Sequence, residues 1–333
     1  MYMIFSIVFM LSIFFFMTHI FRKMKISTVI GMIISGLIIA SAPFRDVYLI
    51  PNYAVIETLG DIGLLGIMFI AGLEVSWSML YSEKKDAAII AVLASFTPFF
   101  LGFVVFFFAG FPIETSLFVG VCMSITAEAT KARVLMEMRK LKTKIGSLMM
   151  GAGIIDDIIG MSLFFIIGYF FHTSLPSKEV LLLAGVILSF FFGVFVHREI
   201  GRHENMIPEF EKIITYIFVP FFFISMGMRF SFESLILNPF LIIMTISVAI
   251  VGKMTGSLLT KPFTKLKTIQ LYLVGWGMNS RGAVELALAY IALRSGLLDV
   301  GVYSSLIIMA MATTMIFPFI FTRTVKKNPT IMD

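Results

Sequence analysis

The sequence is poor in cysteine and in charged residues. Its 333 residues contain one cysteine, Cys122, which excludes an intramolecular disulfide and a metal site built from cysteines. Only 14% of the residues are charged, against roughly a quarter in an ordinary soluble chain. The formal net charge of +6 suggests a nucleic-acid partner at first sight. In so apolar a chain, however, Lys and Arg mainly record membrane orientation, and we expect no nucleic-acid partner.

The sequence is rich in long apolar runs. Hydrophobic residues make up 59% of the chain, and runs such as 3–21 and 87–109 are too long and too continuous for barrel strands, which alternate. With roughly 17–25 residues per span, the sequence predicts an all-α integral membrane protein of about eleven transmembrane helices. The first apolar run has no Ala-x-Ala-like cleavage site and is interpreted as a retained helix or signal anchor. The predicted spans are 3–21, 27–43, 56–76, 87–109, 113–138, 144–171, 179–197, 212–230, 238–260, 268–293 and 301–322.

The basic residues of the predicted loops indicate the orientation. With the N-terminus outside and the C-terminus in the cytoplasm, 17 Lys and Arg residues fall in cytoplasmic loops and three, Arg45, Lys178 and Arg294, fall outside. Positive charge marks the cytoplasmic side, and a wrong count of spans would have scrambled this partition. We therefore expect this orientation, in the plasma membrane.

An internal repeat is visible in two motifs. Gly72 and Gly227 lie in similar segments, as do Gly120 and Gly275, and both pairs are 155 residues apart. Spans two to six (27–171) then correspond to spans seven to eleven (179–322). Because five is odd, the two repeats insert with opposite orientation, an arrangement suited to alternating access. No linker rich in Pro, Gly or Ser divides the chain, so we predict one membrane domain, 1–333.

Two adjacent acids are the strongest candidates for chemistry. Asp156 and Asp157 lie within an apolar run, where polar groups are costly and mark function; the alternative is a helix end that protrudes into water. Adjacent helical residues point about 100° apart, so the two carboxylates face different neighbours. Gly153 and Gly160 on the same helix are predicted to let another backbone approach. A buried carboxylate tolerates a proton or a small cation better than an empty charge.

Further polar residues lie at predicted membrane depth. Lys253, inside the run 241–259, is a candidate counter-charge for one aspartate; its alternative interpretation is a snorkelling lysine. The segments 124–131 and 275–282 interrupt two spans at matching repeat positions, which points to a central transport site. Glu128 and Arg281 are predicted to compensate the charge of the half-helix ends, although Glu128 also fits a solvated funnel. The remaining candidates are Asn279 in the second break and, more ambiguously, Glu285, Arg229 and Glu74.

These motifs together resemble the monovalent cation/proton antiporters of the second branch, which contains Kef-like and Nap-like proteins. The matching segments are 69–74 (FIAGLE), 126–135 (TAEATKARVL), 156–157 (DD), 251–253 (VGK) and 277–285 (GMNSRGAVE). The resemblance implies a core domain that moves against a dimerisation domain, and a homodimer. It further implies that Asp157 is the main cation and proton ligand, that Asp156 pairs with Lys253, and that Thr126 lies at the crossover. Electrogenic exchange of Na+ or K+ for protons, without a cofactor, is the implied activity.

The chain departs from the family pattern in three places. Ala127 replaces the usual serine, and Glu128 stands where an apolar residue is commoner. Lys253 follows Asp156 by 97 residues, whereas most members have about two more helices in this interval, in the region that dimerises and links. We expect no nucleotide-binding regulatory domain after the last helix, and hence no Kef-type gating.

Three other functions fit the sequence less well. An organic-anion symporter of the inverted-repeat type does not need paired aspartates with an intramembrane lysine. A channel would conduct cations without proton coupling. An intramembrane aspartyl protease needs two aspartates on separate helices, one of them in a GxGD motif, so an enzyme is not expected.

Overall fold

The computed structural model of this chain describes residues 2–24, 26–41, 44–73, 84–171, 177–200 and 206–332. Within these ranges it contains fifteen α-helices and no β-strand. Their bounds in chain order are α1 Tyr2–Lys23, α2 Thr28–Ala40, α3 Tyr53–Leu73, α4 Lys84–Phe108, α5 Ile113–Ser124, α6 Glu128–Glu137, α7 Lys144–Phe171, α8 Ser177–Ile200, α9 Met206–Ile217, α10 Val219–Met228, α11 Phe232–Leu237, α12 Pro239–Leu259, α13 Thr268–Gly277, α14 Ala283–Arg294 and α15 Val300–Lys327.

All eleven predicted spans are helical. Seven helices in the described residues are long and apolar enough to cross a membrane. The predicted span 27–43 is the 13-residue helix α2, and three further spans are pairs of shorter helices, namely α5 with α6, α9 with α10, and α13 with α14. The prediction of an all-α membrane protein with two broken helices is therefore confirmed.

The structure corrects several boundaries. The third break, within the predicted span 212–230, was not expected from sequence. There α9 ends at Ile217 and α10 begins at Val219. Pro220 lies in the first turn of α10 and accounts for the break, because proline lacks an N–H and disfavours helix at the preceding residue. Four described segments outside the predicted spans are helical, namely the π-helical turn Arg45–Leu49, the 3-10 turns Ile50–Asn52 and Pro329–Met332, and α11.

The helix boundaries follow the repeat that the sequence motifs indicated. The first residues of α4, α5 and α6 lie 155 residues before the first residues of α12, α13 and α14, and α7 and α15 start 156 residues apart. The offset found at two glycine motifs thus relates four consecutive helices and both interruptions. Repeated broken helices at matching positions are typical of secondary transporters.

The chain divides into two compact units, each built from two separate segments. The first unit comprises Met1–Val75 and Ser177–Phe232. Within it, α3 packs against α8 and α10, and α2 packs against α1 and α10. Glycines permit the closest contacts, because a Cβ on Gly72 would overlap the backbone of α8 and one on Gly227 would overlap the backbone of α2. At such sites only glycine lets two helices approach this closely.

The second unit comprises Ser76–Pro176 and Glu233–Asp333 and contains both predicted broken helices. Its helix α4 packs against α5, α7 and α12, and a Cβ on Gly252 of α12 would lie 2.7 Å from Pro98 Cα of α4. Buried apolar side chains of α4, α7, α13 and α15 form its core, among them Ile90, Leu148 and Phe317. Each unit takes helices from both repeats, so units and repeats do not coincide. The single domain 1–333 stays a prediction.

Large apolar side chains cover the outside of the helices. Phe108, Phe170 and Leu181 are 82%, 73% and 74% exposed. Exposed apolar surface of this extent marks a membrane-facing or partner-facing surface, and on helices of this length and hydropathy it is the surface that contacts lipid.

Candidate ion-binding site

The two interrupted helices of the second unit meet at their breaks. Ile125–Ala127 separates α5 from α6, and Met278–Gly282 separates α13 from α14. Ala127 N donates to Ser280 O at 2.8 Å, and Ser280 Oγ lies 3.0 Å from Ala127 O. These bonds satisfy backbone groups that the interruption removes from a helix, which is required where no water is available. Ala127 stands where the family that the sequence resembles usually has a serine. A Cβ on Gly282 would lie 2.7 Å from the Cβ of Ala127.

Arg281 connects the second break to the end of α5. Its Nη1 donates to Cys122 O at 3.2 Å and to Ile125 O at 2.5 Å, and the residue is 1% exposed. The last carbonyls of a helix carry partial negative charge and have no partner within the helix. Arg281 therefore neutralises the end of a half-helix that belongs to the other repeat.

Asp156 is fully buried and receives hydrogen bonds from three side chains. Lys253 Nζ lies 2.9 Å from its Oδ1 and 3.0 Å from its Oδ2. Thr126 Oγ1 lies 2.5 Å from Oδ2, and Ser95 Oγ donates to Oδ1. Each hydroxyl has a single proton to donate, and each also has a backbone carbonyl in reach, Ala91 O for Ser95 and Met278 O for Thr126. Lys253 Nζ also donates to Ser124 O, the last carbonyl of α5.

Asp157 faces a different direction from Asp156, as expected for adjacent helical residues. It is 7% exposed, whereas Asp156 is 0% exposed, so it is the more accessible of the two carboxylates. Gly160 lies one turn further along the same face of α7. A Cβ on Gly160 would overlap the side chain of Ile125. Gly160 is a neighbour of both aspartates on α7, and the group that approaches it is a side chain rather than the predicted backbone.

A second buried ion pair lies beside the same helix. Lys131 Nζ is 2.6 Å from Glu128 Oε1 and 2.8 Å from Met149 O, and the two side chains are 0% and 4% exposed. A Cβ on Gly153 would overlap both Glu128 Oε1 and Lys131 Nζ. The expectation of a close backbone at Gly153 is thus wrong, because the group that approaches is the Glu128 carboxylate with its lysine.

The remaining candidates lie around the second break. Arg281 Nε is 3.7 Å from Glu285 Oε2, and both side chains are buried. Asn279 Nδ2 donates to Gly275 O at 3.0 Å, so it closes the end of its own helix α13. In the first unit, Arg229 contacts Glu57 at 2.5 Å. Glu74 lies outside the described residues.

The buried charges of the second unit do not cancel. Among its described residues seven side chains of Asp, Glu, Lys and Arg are buried, four acids and three bases. If all are ionised, the cluster carries one negative charge, and one proton or one monovalent cation makes it neutral. These residues are Glu128, Lys131, Asp156, Asp157, Lys253, Arg281 and Glu285.

Ser95 and Lys131 are site residues that the sequence analysis missed. A single serine in an apolar helix usually bonds the carbonyl four residues earlier, and Ser95 Oγ does lie 2.7 Å from Ala91 O, so nothing in the sequence distinguished it. The pairing of Lys131 with Glu128 could have been predicted, since Lys131 stands three residues after Glu128, at a spacing that brings two helical side chains together.

Comparison with known proteins agrees with the architecture. The family described as "Sodium/hydrogen exchanger, transmembrane" matches residues 10–184 and 169–327. The chain is 27% identical over 370 residues to a Na(+)/H(+) antiporter of Enterococcus hirae, covering 93% of this chain and 96% of the relative. It is 25% identical over 344 residues to the Na(+)/H(+)-K(+) antiporter GerN of Bacillus cereus, covering 87% and 88%.

A solved structure shares the fold. The sodium proton antiporter MjNhaP1 from Methanocaldococcus jannaschii superposes with a TM-score of 0.67 at 14% identity, covering 98% of both chains. Nothing in these relatives favours an organic-anion symporter or a channel. The two matched ranges overlap at residues 169–184.

Proposed function

Because this chain belongs to the sodium/hydrogen exchanger family, and so exchanges monovalent cations for protons across a membrane, we propose that Asp157 is the carboxylate at which the two ions compete. The contact of Asp156 with Lys253 is the observation that carries this assignment. The ammonium group of Lys253 bonds both oxygens of Asp156, and the hydroxyls of Thr126 and Ser95 lie beside them. A cation that approaches Asp156 meets a positive charge already in place, whereas Asp157 is the more accessible neighbour on the same helix.

The charge of the buried cluster explains why exchange is coupled. When all seven side chains are ionised, the empty cluster holds one uncompensated negative charge in a medium of low dielectric, which is costly. A bound proton or a bound cation removes that charge. Conformational exchange of the loaded site is therefore favoured over that of the empty site, and each ion that leaves must be replaced before the site returns.

The Asp156–Lys253 pair is the proposed source of electrogenic exchange. A second proton per cation requires a second group that changes its protonation state during the cycle. Lys253 contacts both Asp156 and the carbonyl of Ser124 at the first break. A change in the protonation of the pair therefore alters the contacts at the first break. Thr126 is proposed to hold Asp156 at the crossover.

We propose Na+ as the exchanged cation, in line with the names of the relatives, and K+ as a second candidate because GerN is named for both ions. The distribution of basic residues supports an N-terminus outside, a C-terminus in the cytoplasm and a location in the plasma membrane. A homodimer stays a prediction from the family resemblance.

The test is the variant Asp157→Asn, which keeps the size of the side chain and removes its charge. We expect it to fold in the membrane and to lose Na+- and K+-dependent proton movement in everted vesicles. Glu233→Gln is the control, because Glu233 is exposed at the start of α11 and its loss should leave the rate unchanged. Proton movement at the wild-type rate in Asp157→Asn would refute the assignment.

A further inference from the structure

The ion pair of Glu128 and Lys131 lies on one side of the aspartates. Glu128 is the first residue of α6 and contacts α7 at the level of Gly153. Gly153 lies one helical turn before Asp157 on the same face, about 5.4 Å nearer the start of α7. In the proposed orientation α7 starts at the cytoplasm, so the pair lies between the aspartates and the cytoplasmic end of the second unit.

Stabilisation of α6 does not require this arrangement. An acid in the first turn is favourable on its own, because it faces the positive end of the helix dipole. Adding Lys131 opposes that effect, and burying a pair of charges costs more desolvation than a surface pair. The lysine also needs Gly153, since any side chain at that position would overlap it. The charge of the helix end alone therefore does not explain why this pair is buried.

One oxygen of the pair has no donor. Glu128 Oε1 accepts from Lys131, whereas Glu128 Oε2 is buried and has no hydrogen-bond partner among the described residues. Leaving a buried charged acceptor unsatisfied costs the full desolvation of that group. A small cation or a proton is the kind of group that satisfies such an oxygen.

The other broken helix has no lysine-held acid at the matching position. The 155-residue offset between the repeats puts Ala283 in the position of Glu128 and Leu286 in the position of Lys131. Near the second break the buried acid is Glu285, whose two oxygens also have no hydrogen-bond partner among the described residues and whose Oε2 lies 3.7 Å from Arg281 Nε. A carboxylate bonded by a lysine that also donates to a backbone carbonyl is therefore found in one repeat and, in an inverted pair, on one side of the membrane.

We propose that Glu128 Oε2 forms a second, transient binding position for the exchanged cation or proton on the cytoplasmic side of Asp157, with Lys131 holding the carboxylate against Gly153. This inference rests on the proposed function of Asp157 and on the proposed orientation. Ions arriving from the cytoplasm are passed to Asp157 from this position, whereas ions arriving from outside meet Asp157 without it.

The experiment compares the two faces of the membrane. Na+ and K+ are added in turn to everted vesicles and to right-side-out vesicles, and proton movement is followed with a pH-sensitive dye. For Glu128→Gln we expect the apparent KM for the cation to rise about fivefold to tenfold, as for the loss of one ligand contact, at the cytoplasmic face. At the outer face the apparent KM should stay within about twofold.

A double variant separates binding from structure. Glu128→Gln leaves Lys131 as a lone buried charge, which destabilises the fold; Glu128→Gln/Lys131→Gln removes both charges. If the pair is only structural, the double variant transports with the wild-type KM on both faces, and the proposal is overturned. If Glu128 is an ion ligand, the double variant keeps the raised KM at the cytoplasmic face.

The matched control is Glu137→Gln on the same helix. Glu137 also pairs with a base, Arg133, at 3.1 Å, but its side chain is 49% exposed. Its loss should leave the apparent KM for the cation unchanged at both faces. An equal rise of the KM in Glu137→Gln would mean that removing any nearby negative charge has this effect, and it would overturn the proposal. A rise of the KM at the outer face alone in Glu128→Gln would overturn it too. Exchange that is absent from the wild type, or retained by Asp157→Asn, would instead reject the proposed function.

Discussion

Replacement of Lys253 by methionine tests the buried pair on which the site is built. Methionine keeps the length and the apolar stem of lysine and removes only the ammonium group. In the structure that group bonds both oxygens of Asp156 and the carbonyl of Ser124, and neither side chain of the pair is exposed to solvent. The variant therefore leaves a buried carboxylate with only its two hydroxyl donors.

The expected loss of stability can be worked out at two pH values. Removing one partner of a buried pair costs about 3–5 kcal/mol. Protonation limits this cost, because giving a proton to a carboxyl of ordinary pKa 3.9 costs about 1.36 kcal/mol per pH unit above that value. That limit is about 5.6 kcal/mol at pH 8 and about 1.5 kcal/mol at pH 5. The destabilisation should thus be nearly full at pH 8 and fall as the pH falls.

Thermal unfolding in detergent measures this loss. An unfolding entropy of about 2.1 cal/mol/K per residue corresponds to about 1.4 °C of Tm per kcal/mol for this chain. The Tm of Lys253→Met should therefore fall by about 4–7 °C at pH 8 and by about 2 °C at pH 5. Helices that persist after unfolding lower the entropy and make the shift larger, so these values are minimum shifts.

The double variant Lys253→Met/Asp156→Asn is the control. It leaves no buried charge, and the new amide oxygen still accepts from Ser95 or Thr126, so most of the lost stability should return. Wild-type melting of Lys253→Met at pH 8, or a double variant as unstable as the single one at both pH values, would show that the pair does not contribute as argued.

Two further outcomes follow from the contacts of the site. Ser95→Ala removes a donor to the buried carboxylate of Asp156 and should cost about 1.5–3 kcal/mol, the usual contribution of a hydrogen bond to a charged group; an unchanged Tm would contradict this. Gly153→Ala places a methyl group where Glu128 lies and should cost about 1–3 kcal/mol through overpacking, with slower cytoplasmic-face exchange. Gly185→Ala is its control, since there the new Cβ would meet only a flexible leucine methyl at 3.3 Å; equal effects of the two variants would refute the packing argument.

The sequence predicted the membrane fold well because the signal is strong. Apolar runs of this length, interrupted by basic loops, leave helices as the only backbone solution in lipid, and every predicted span is helical. The break after Ile217 was missed, although Pro220 marked it, because the residues on either side of Pro220, 217–219 and 221–224, are all apolar. The π-helical and 3-10 turns before α3 were missed for a different reason, since short helical turns have no periodic pattern to detect.

The candidate site was predicted in part. Asp156 and Lys253 were singled out because each is charged in an apolar run, and the structure places them in contact. Ser95 and Lys131 were not singled out, since a hydroxyl that bonds its own helix and a lysine near other charges are both ordinary in sequence. The close approach expected at Gly153 was assigned to the wrong group, because a glycine indicates space but not what fills it.

By itself the sequence determined that the chain lies in lipid, where two helices break, and which acids lie within apolar runs. These properties depend on hydropathy, charge and spacing along the chain, and all of them can be read one segment at a time. Only the tertiary structure decided that Lys253 bonds both oxygens of Asp156, that Glu128 pairs with Lys131 beside Gly153, and that four acids and three bases are buried in one unit. Such facts depend on which side chains of α4, α6, α7 and α12 meet, and contacts between distant segments are set by packing rather than by any single segment.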